Sequence, residues 1–302
     1  MKTDSGKPFW TECTGEALDT VKKHEKDEDL TLFGCCFSPF VQRVWVALEV
    51  LEFPYKYGID LILQYCEVDL RKKPRDPDLL EISPNALVPA LKLNNFNPPK
   101  GLNESTVILE YINDLAETTK GKSLLPPLTN PYARALVRLQ CDHISRSIVP
   151  AFYRYLLAQD QEIQISCGKE YYESIVTLMA LFERMEKEVV QCQVAGVDGE
   201  GKRNALAVGL GLWIDENEDI GLADVMVGPW LFRSNVLKHY RGFELPPSQK
   251  LNNWLHKLFN HPDFKRTCST DELYFDSYER YAFNRAHASK LAKALNSGRE
   301  MP

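Results

Sequence analysis

A chain of 302 residues, 44% apolar and with a net charge of −6, is long enough for two domains and apolar enough to build cores without covalent staples. The charge is spread along the chain with no Lys/Arg-rich stripe among aromatics, and no run approaches the ~18 consecutive apolar residues that span a bilayer. The first residues lack the apolar run of a secretory signal, and the eight cysteines show no C-x-x-C pair and no zinc spacing, so the expectation is a cytoplasmic protein with reduced thiols, no metal, no membrane and no nucleic-acid partner.

Residues 1–28 are polar and charged and read as an N-terminal extension. The first ordered element is expected at Leu30-Thr31-Leu32-Phe33, an alternating strand closed by Gly34. Ser38-Pro39 then signals a helix start, because serine is a favoured cap and proline a favoured first helical residue. Phe40, Val44, Leu48 and Leu51 follow at helical spacing, and Phe53-Pro54 ends the helix. Tyr55 to Leu70 is strand-like but too long for one strand, and Gly58 to Tyr65 reads as an insertion within it. Pro89 precedes the alternating run Ala90-Leu91-Lys92-Leu93; it fits only at a strand's first position or an edge, and is a place where a cis bond can live. Asn94 to Gly101 forms a turn, and Glu104-Ser105-Thr106 opens a helix through Leu115, with Val107, Ile108, Tyr111, Ile112 and Leu115 inward.

The order to this point, β-α-β-(α)-β-β-α, suits a small α/β layer domain. Gly121, Pro126, Pro127 and Pro131 mark a linker, and helical periodicity dominates beyond it. Residues 191–212 read as a long Gly-rich loop. Gly221-Leu222-Ala223-Asp224 starts a further helix, with the Asp224 carboxylate placed to reach back to the cap N–H. The expected division is an extension at 1–28, an α/β domain at 29–118, a linker at 119–130 and a helical domain at 131–302, whose last stretch, 282–302, is a basic tail.

Four short motifs in order resemble the glutathione transferase family: Phe37-Ser38-Pro39-Phe40-Val41-Gln42-Arg43, Leu87-Val88-Pro89-Ala90-Leu91, Glu104-Ser105 and Ala223-Asp224. The first is similar to the helix entrance of the omega class, with serine where that class has cysteine, as in serine-containing omega-like enzymes of fungi. The resemblance implies a thioredoxin-like α/β N-terminal domain, an all-α C-terminal domain, glutathione as co-substrate and a homodimer. It implies that Ser38 faces the glutathione thiol, that Lys73, Val88, Pro89, Glu104 and Ser105 bind glutathione, and that Phe40, Tyr153, Arg233, Tyr274 and Tyr281 line a site for hydrophobic aromatic ligands.

The chemistry fits these residue types. A helix N-terminus and Ser105 offer donors to a carboxylate, Glu104 offers a counter-charge to an ammonium, and a hydroxyl donating to a thiolate favours the charged form. Serine cannot form the mixed disulfide that cysteine would, so conjugation is expected and thiol transfer is not. Taken singly, Ser38 is as readily a plain helix cap, Pro89 an edge proline, and Tyr274 and Tyr281 packing residues. Cys35 as nucleophile of a C-x-x-S motif is a rival register, disfavoured because it lies outside the helix whose dipole would activate it. Two functions stay open on the sequence: a transferase for aromatic electrophiles, and a weakly catalytic protein that stores aromatic or polyphenolic ligands. A third, an assembly protein, would leave the glutathione residues idle.

Overall fold

The computed structural model describes residues 10–59, 77–191 and 206–285. Lys73, most of the expected insertion at 58–65, residues 192–205 of the long loop and the tail from 286 onward lie outside them.

A helix precedes the expected first strand. Helix α1 (Gly15–Lys23) buries only Ala17, Thr20 and Val21, too thin an apolar stripe to stand out in a charged stretch. Strand β1 (Leu30–Gly34) runs parallel to β2 (Lys56–Ile59) and antiparallel to β3 (Ala90–Leu93), which pairs antiparallel with β4 (Lys100–Asn103). The sheet order is β2-β1-β3-β4, the expected thioredoxin-like arrangement. Helix α2 (Pro39–Val50) makes the β1-to-β2 crossover, α3 (Pro77–Ile82) precedes β3, and α4 (Ser105–Lys120) closes the layer.

Spacing predicts one apolar face for α2, yet Val41 to Glu49 are all buried. The helix lies against α4 on one side and against the helical part of the chain on the other, so its polar residues Gln42, Arg43 and Glu49 are buried as well. Ile108 and Ile112 face the core as expected, whereas Val107, also expected inward, is 49% exposed and Leu109 is buried in its place.

The helical part begins with α5 (Pro131–His143), which continues through a π-helical turn (Ile144–Ile148) into α6 (Val149–Leu157). Then come α7 (Gln161–Met185), α8 (Leu222–Phe232), α9 (Ser234–Arg241), α10 (Gln249–Asn260), the short α11 (Pro262–Lys265) and α12 (Asp271–Ala282). Residues Leu222 to Leu231 of α8 are buried on every side, making it the axis of this unit. Its start is organised by Asp224, which accepts N–H bonds from Gly221 (2.8 Å) and Leu212 (2.9 Å) and the indole N–H of Trp254 (2.8 Å). Glycine at the cap has a steric reason: a Cβ on Gly221 would lie 2.9 Å from the Gly211 backbone. The loop packs directly on the helix start, where any side chain would intrude.

Helix α1 straddles the two units. The Ala17 N–H donates to Cys268 O (3.2 Å), Thr14 N–H to Ser269 Oγ (3.2 Å) and the Thr20 hydroxyl to Arg266 O (2.8 Å), all just before α12. At its other end the Tyr57 N–H of β2 donates to His24 O (2.8 Å).

Candidate functional site at one edge of the sheet

The strand register gathers most of the motif residues. Phe33 pairs with Ala90, and Ala90 with Asn103. The segment leaving β1, the Val88-Pro89 step entering β3 and the Glu104-Ser105 step leaving β4 therefore meet at one edge. The Val88–Pro89 peptide is cis, and Val88 precedes the first ladder pair of β3. The approach to it is pinned by Ser83, whose Oγ accepts from Leu87 N–H and donates to Leu87 O, both at 3.0 Å.

Ser38 caps α2 as expected. Its Oγ accepts the Val41 N–H (3.4 Å), and Pro39 follows at the first helical position. An acceptor bond uses a lone pair and leaves the hydroxyl proton available. Among the described residues no acceptor takes that proton, although Ser38 is only 2% exposed. Its carbonyl accepts the Gln42 N–H (3.1 Å) and its own N–H donates to Cys35 O (3.4 Å). The hydroxyl thus stands at the positive end of the α2 dipole with one donor to give.

Glu104 caps α4 with φ 70° and ψ 113°, a left-handed value for a non-glycine residue. Such strain costs on the order of 1–3 kcal/mol and gathers at ligand-binding positions. Its side chain is exposed, while Ser105 is buried and lies 3.5 Å from Arg43 Nη1. Arg43 also donates through Nε to Met226 O (2.8 Å) and stacks on the Trp230 ring, 4.1 Å from its centroid. Its Nη2 has no partner among the described residues, and burial pulls its pKa down to about 9. Arg43 is the one basic residue in the mainly apolar run Phe40 to Leu51, which also holds Gln42 and Glu49, and that is the sequence signal that marks this buried cation.

The expected aromatic residues divide into two layers. Phe40, Tyr153 and Tyr281 come together: Phe40 stacks parallel to Tyr153 at 6.5 Å, and Tyr153 lies 6.1 Å from Tyr281. Tyr278, which spacing alone did not single out, joins them 5.5 Å from Tyr281 and 6.2 Å from Phe37. Arg233 and Tyr274 sit one layer behind. The Tyr274 hydroxyl accepts the Ser269 N–H (2.9 Å), and its ring lies 4.5 Å from the Arg233 guanidinium. Arg233 reaches back to Phe37 O (3.0 Å) and Gln42 Oε1 (2.6 Å).

Of the two rival thiols, Cys36 is poorly placed for ionisation. Cys35 and Cys36 lie in the turn before α2, as expected from the helix start at Pro39. The Cys36 thiol contacts Trp10 O at 3.6 Å, and burial, with the neighbouring cysteines, pushes its pKa well above the usual thiol range. Among the described residues no group of His, Cys, Asp and Glu could hold a metal, and no helix is long and apolar enough to cross a membrane.

Comparison with known proteins gives a consistent result. The family model described as the glutathione S-transferase N-terminal domain matches residues 32–120. Glutathione S-transferase U1 of Arabidopsis thaliana is 30% identical over 239 residues, covering 78% of this chain and 86% of the relative. Glutathione S-transferase U2 of the same plant is 29% identical, covering 81% and 89%. Among solved structures, glutathione transferase Omega 3C from Trametes versicolor superposes with a TM-score of 0.66 at 29% identity, covering 89% of this chain and 97% of that one. A rice glutathione transferase in complex with glutathione shares the fold, with a TM-score of 0.62 at 20% identity.

Proposed function

The chain belongs to the glutathione S-transferase family, and from that premise we propose that it binds glutathione at the sheet edge and ionises its thiol with Ser38 for attack on electrophiles. The observation that carries this is the uncommitted Ser38 hydroxyl proton at the α2 N-terminus. A hydroxyl donated to sulfur favours the thiolate, and the helix dipole acts in the same direction. Val88 offers backbone groups to the cysteinyl unit of glutathione, next to the cis Pro89. Ser105, the α4 N-terminus and the exposed Glu104 receive the γ-glutamyl end, and Lys73 receives the glycine carboxylate. Residues 29–118 form the glutathione-binding domain, 119–130 the linker and 131–302 the domain for the second substrate.

Phe40, Tyr153 and Tyr281, with Tyr278, are the lining we assign to an aromatic electrophile. Arg233 and Tyr274 support that lining from behind. We assign the protein to the serine-containing omega-like transferases, as a homodimer in the cytoplasm. The Omega 3C similarity and the serine at the α2 cap support the class.

The test is conjugation of glutathione to a generic electrophile. Ser38→Ala is expected to lower turnover by about 10²-fold or more, the range for loss of a positioned donor to a developing charge. Thiol transfer that survives Ser38→Ala and disappears in Cys35→Ala or Cys36→Ala would reverse the assignment.

A further inference from the structure

Ser38 is held from the opposite unit of the molecule. The carbonyl of Phe37 belongs to the peptide plane that carries the Ser38 nitrogen, so fixing that oxygen fixes the plane. Two donors fix it: Arg233 Nη2 at 3.0 Å and the Tyr278 hydroxyl at 3.4 Å. Arg233 Nη1 also grips Gln42 Oε1 at 2.6 Å, one helical turn beyond Ser38. Gln42 in turn donates to Thr267 Oγ1 at 3.1 Å and to Cys268 Sγ at 3.3 Å. The turn that presents the hydroxyl is therefore clamped on both sides of Ser38 by Arg233 at the junction of α8 and α9, by Tyr278 of α12 and by the segment between α11 and α12.

The guanidinium itself is unusual. Arg233 is 1% exposed, and its acceptors are a glutamine oxygen and two main-chain carbonyls, those of Phe37 and Pro229. No carboxylate among the described residues pairs with it, and its Nε has no partner. A buried cation balanced only by dipoles and by the face of the Tyr274 ring favours any anion brought near it, because interior charges are weakly screened. A thiolate at Ser38 is such an anion.

We infer that Arg233 is a positioning residue of the transferase reaction: through Phe37 and Gln42 it sets the Ser38 hydroxyl, and its buried charge favours glutathione as the thiolate. This rests on the assignment of Ser38 above. Arg233 belongs to the machinery that ionises glutathione, and its effect on the second substrate follows from that.

The experiment titrates bound glutathione by the ultraviolet absorbance of its thiolate in wild type, Arg233→Met, Arg233→Lys, Tyr278→Phe and Ser38→Ala. Affinity for S-methylglutathione, which has no thiol proton, reports separately on the integrity of the site. Arg233→Met is expected to raise the bound thiol pKa by about one unit or more, the scale of losing a nearby opposite charge. Arg233→Lys keeps the charge without the fork and should raise it less. Tyr278→Phe deletes one hydroxyl from an otherwise intact fold and should raise it measurably. S-Methylglutathione affinity should stay within about threefold of wild type, under 1 kcal/mol. If Arg233→Met fails to fold, the lysine and phenylalanine variants decide the matter. Unchanged thiol pKa values in the Arg233 and Tyr278 variants, with a raised value in Ser38→Ala, would overturn the role of Arg233 and leave Ser38 standing. An unchanged value in Ser38→Ala would overturn the Ser38 assignment itself.

Discussion

Replacing Asp224 by alanine should destabilise the helical unit more than any surface change. The carboxylate is 1% exposed and accepts three bonds: Oδ2 takes the N–H groups of Gly221 and Leu212, and Oδ1 takes the Trp254 indole N–H. These donors come from the cap of α8, the loop before it and α10. Alanine leaves all three buried without a partner. At ~1–3 kcal/mol for each unsatisfied donor, the loss is about 3–6 kcal/mol once neighbouring groups relax. That is a large share of a typical total stability of ~5–15 kcal/mol. Asparagine is a sharper probe. If its oxygen stays with the two backbone N–H groups, its NH₂ must face the Trp254 indole N–H, donor against donor. Asp224→Asn should therefore also destabilise, and adding Trp254→Phe should recover part of the loss of the donor clash. The assay is urea unfolding, reading the midpoint at constant slope so that the shift reports stability. A shift worth less than about 1 kcal/mol for Asp224→Ala would show that the three bonds do not hold the unit together.

Two further outcomes follow from other close contacts. His24 makes two bonds to pure acceptors, Nδ1 to Tyr55 O (2.8 Å) and Nε2 to Glu49 (3.4 Å), so the imidazolium is the form that satisfies both. Burial opposes its charge, but the Glu49 and Tyr55 bonds and the charges of Glu49 and Glu28 outweigh that, and its pKa is raised. Its contribution is full below the unfolded histidine value of ~6.5 and is lost as pH rises through the folded one. Burial likewise opposes ionised Glu49, but bonds from His24, Tyr55 and Arg266 prevail and lower its pKa. That contribution is present above the unfolded carboxylate range and lost as pH falls through the folded value. The melting-temperature gap between wild type and His24→Gln should thus shrink in alkaline solution; a gap independent of pH would contradict the pairing. Gly221→Ser, which supplies a favoured capping hydroxyl, should nonetheless destabilise by about 1–3 kcal/mol, because its Cβ meets the Gly211 backbone at 2.9 Å. A rise in melting temperature would show that the loop yields.

What the sequence makes legible is what local chemistry decides. The Ser38-Pro39 helix start, the strand beginning just after Pro89 and the Asp224 bond to the α8 cap all depend on residues within a few positions of one another. What it hides depends on distant partners. Helix α1 is fixed by hydrogen bonds spanning more than two hundred residues, such as Thr14 to Ser269. The grip of Arg233 on Gln42 and Phe37 crosses about as much chain, so Arg233 reads as a pocket residue until its partners are seen. The seven-residue spacing of Tyr274 and Tyr281 predicts a shared face. Tyr274, Tyr278 and Tyr281 are all buried along that face, yet their rings meet different partners: Tyr281 clusters with Tyr278, three residues away, and Tyr274 turns to the Ser269 N–H. Spacing gives neighbours on an element, but the packing of α12 against α6 and α9 chooses which ring meets which.

The central claim is that the Ser38 hydroxyl donates to glutathione sulfur and holds it as the thiolate. The most direct measurement is the NMR shift of the isotopically labelled cysteinyl Cβ of bound glutathione, followed across pH in wild type and Ser38→Ala. The wild-type protein should ionise the thiol below the free value of ~8.5, and the alanine variant should move the titration back toward it. Identical titrations in the two proteins would contradict the claim.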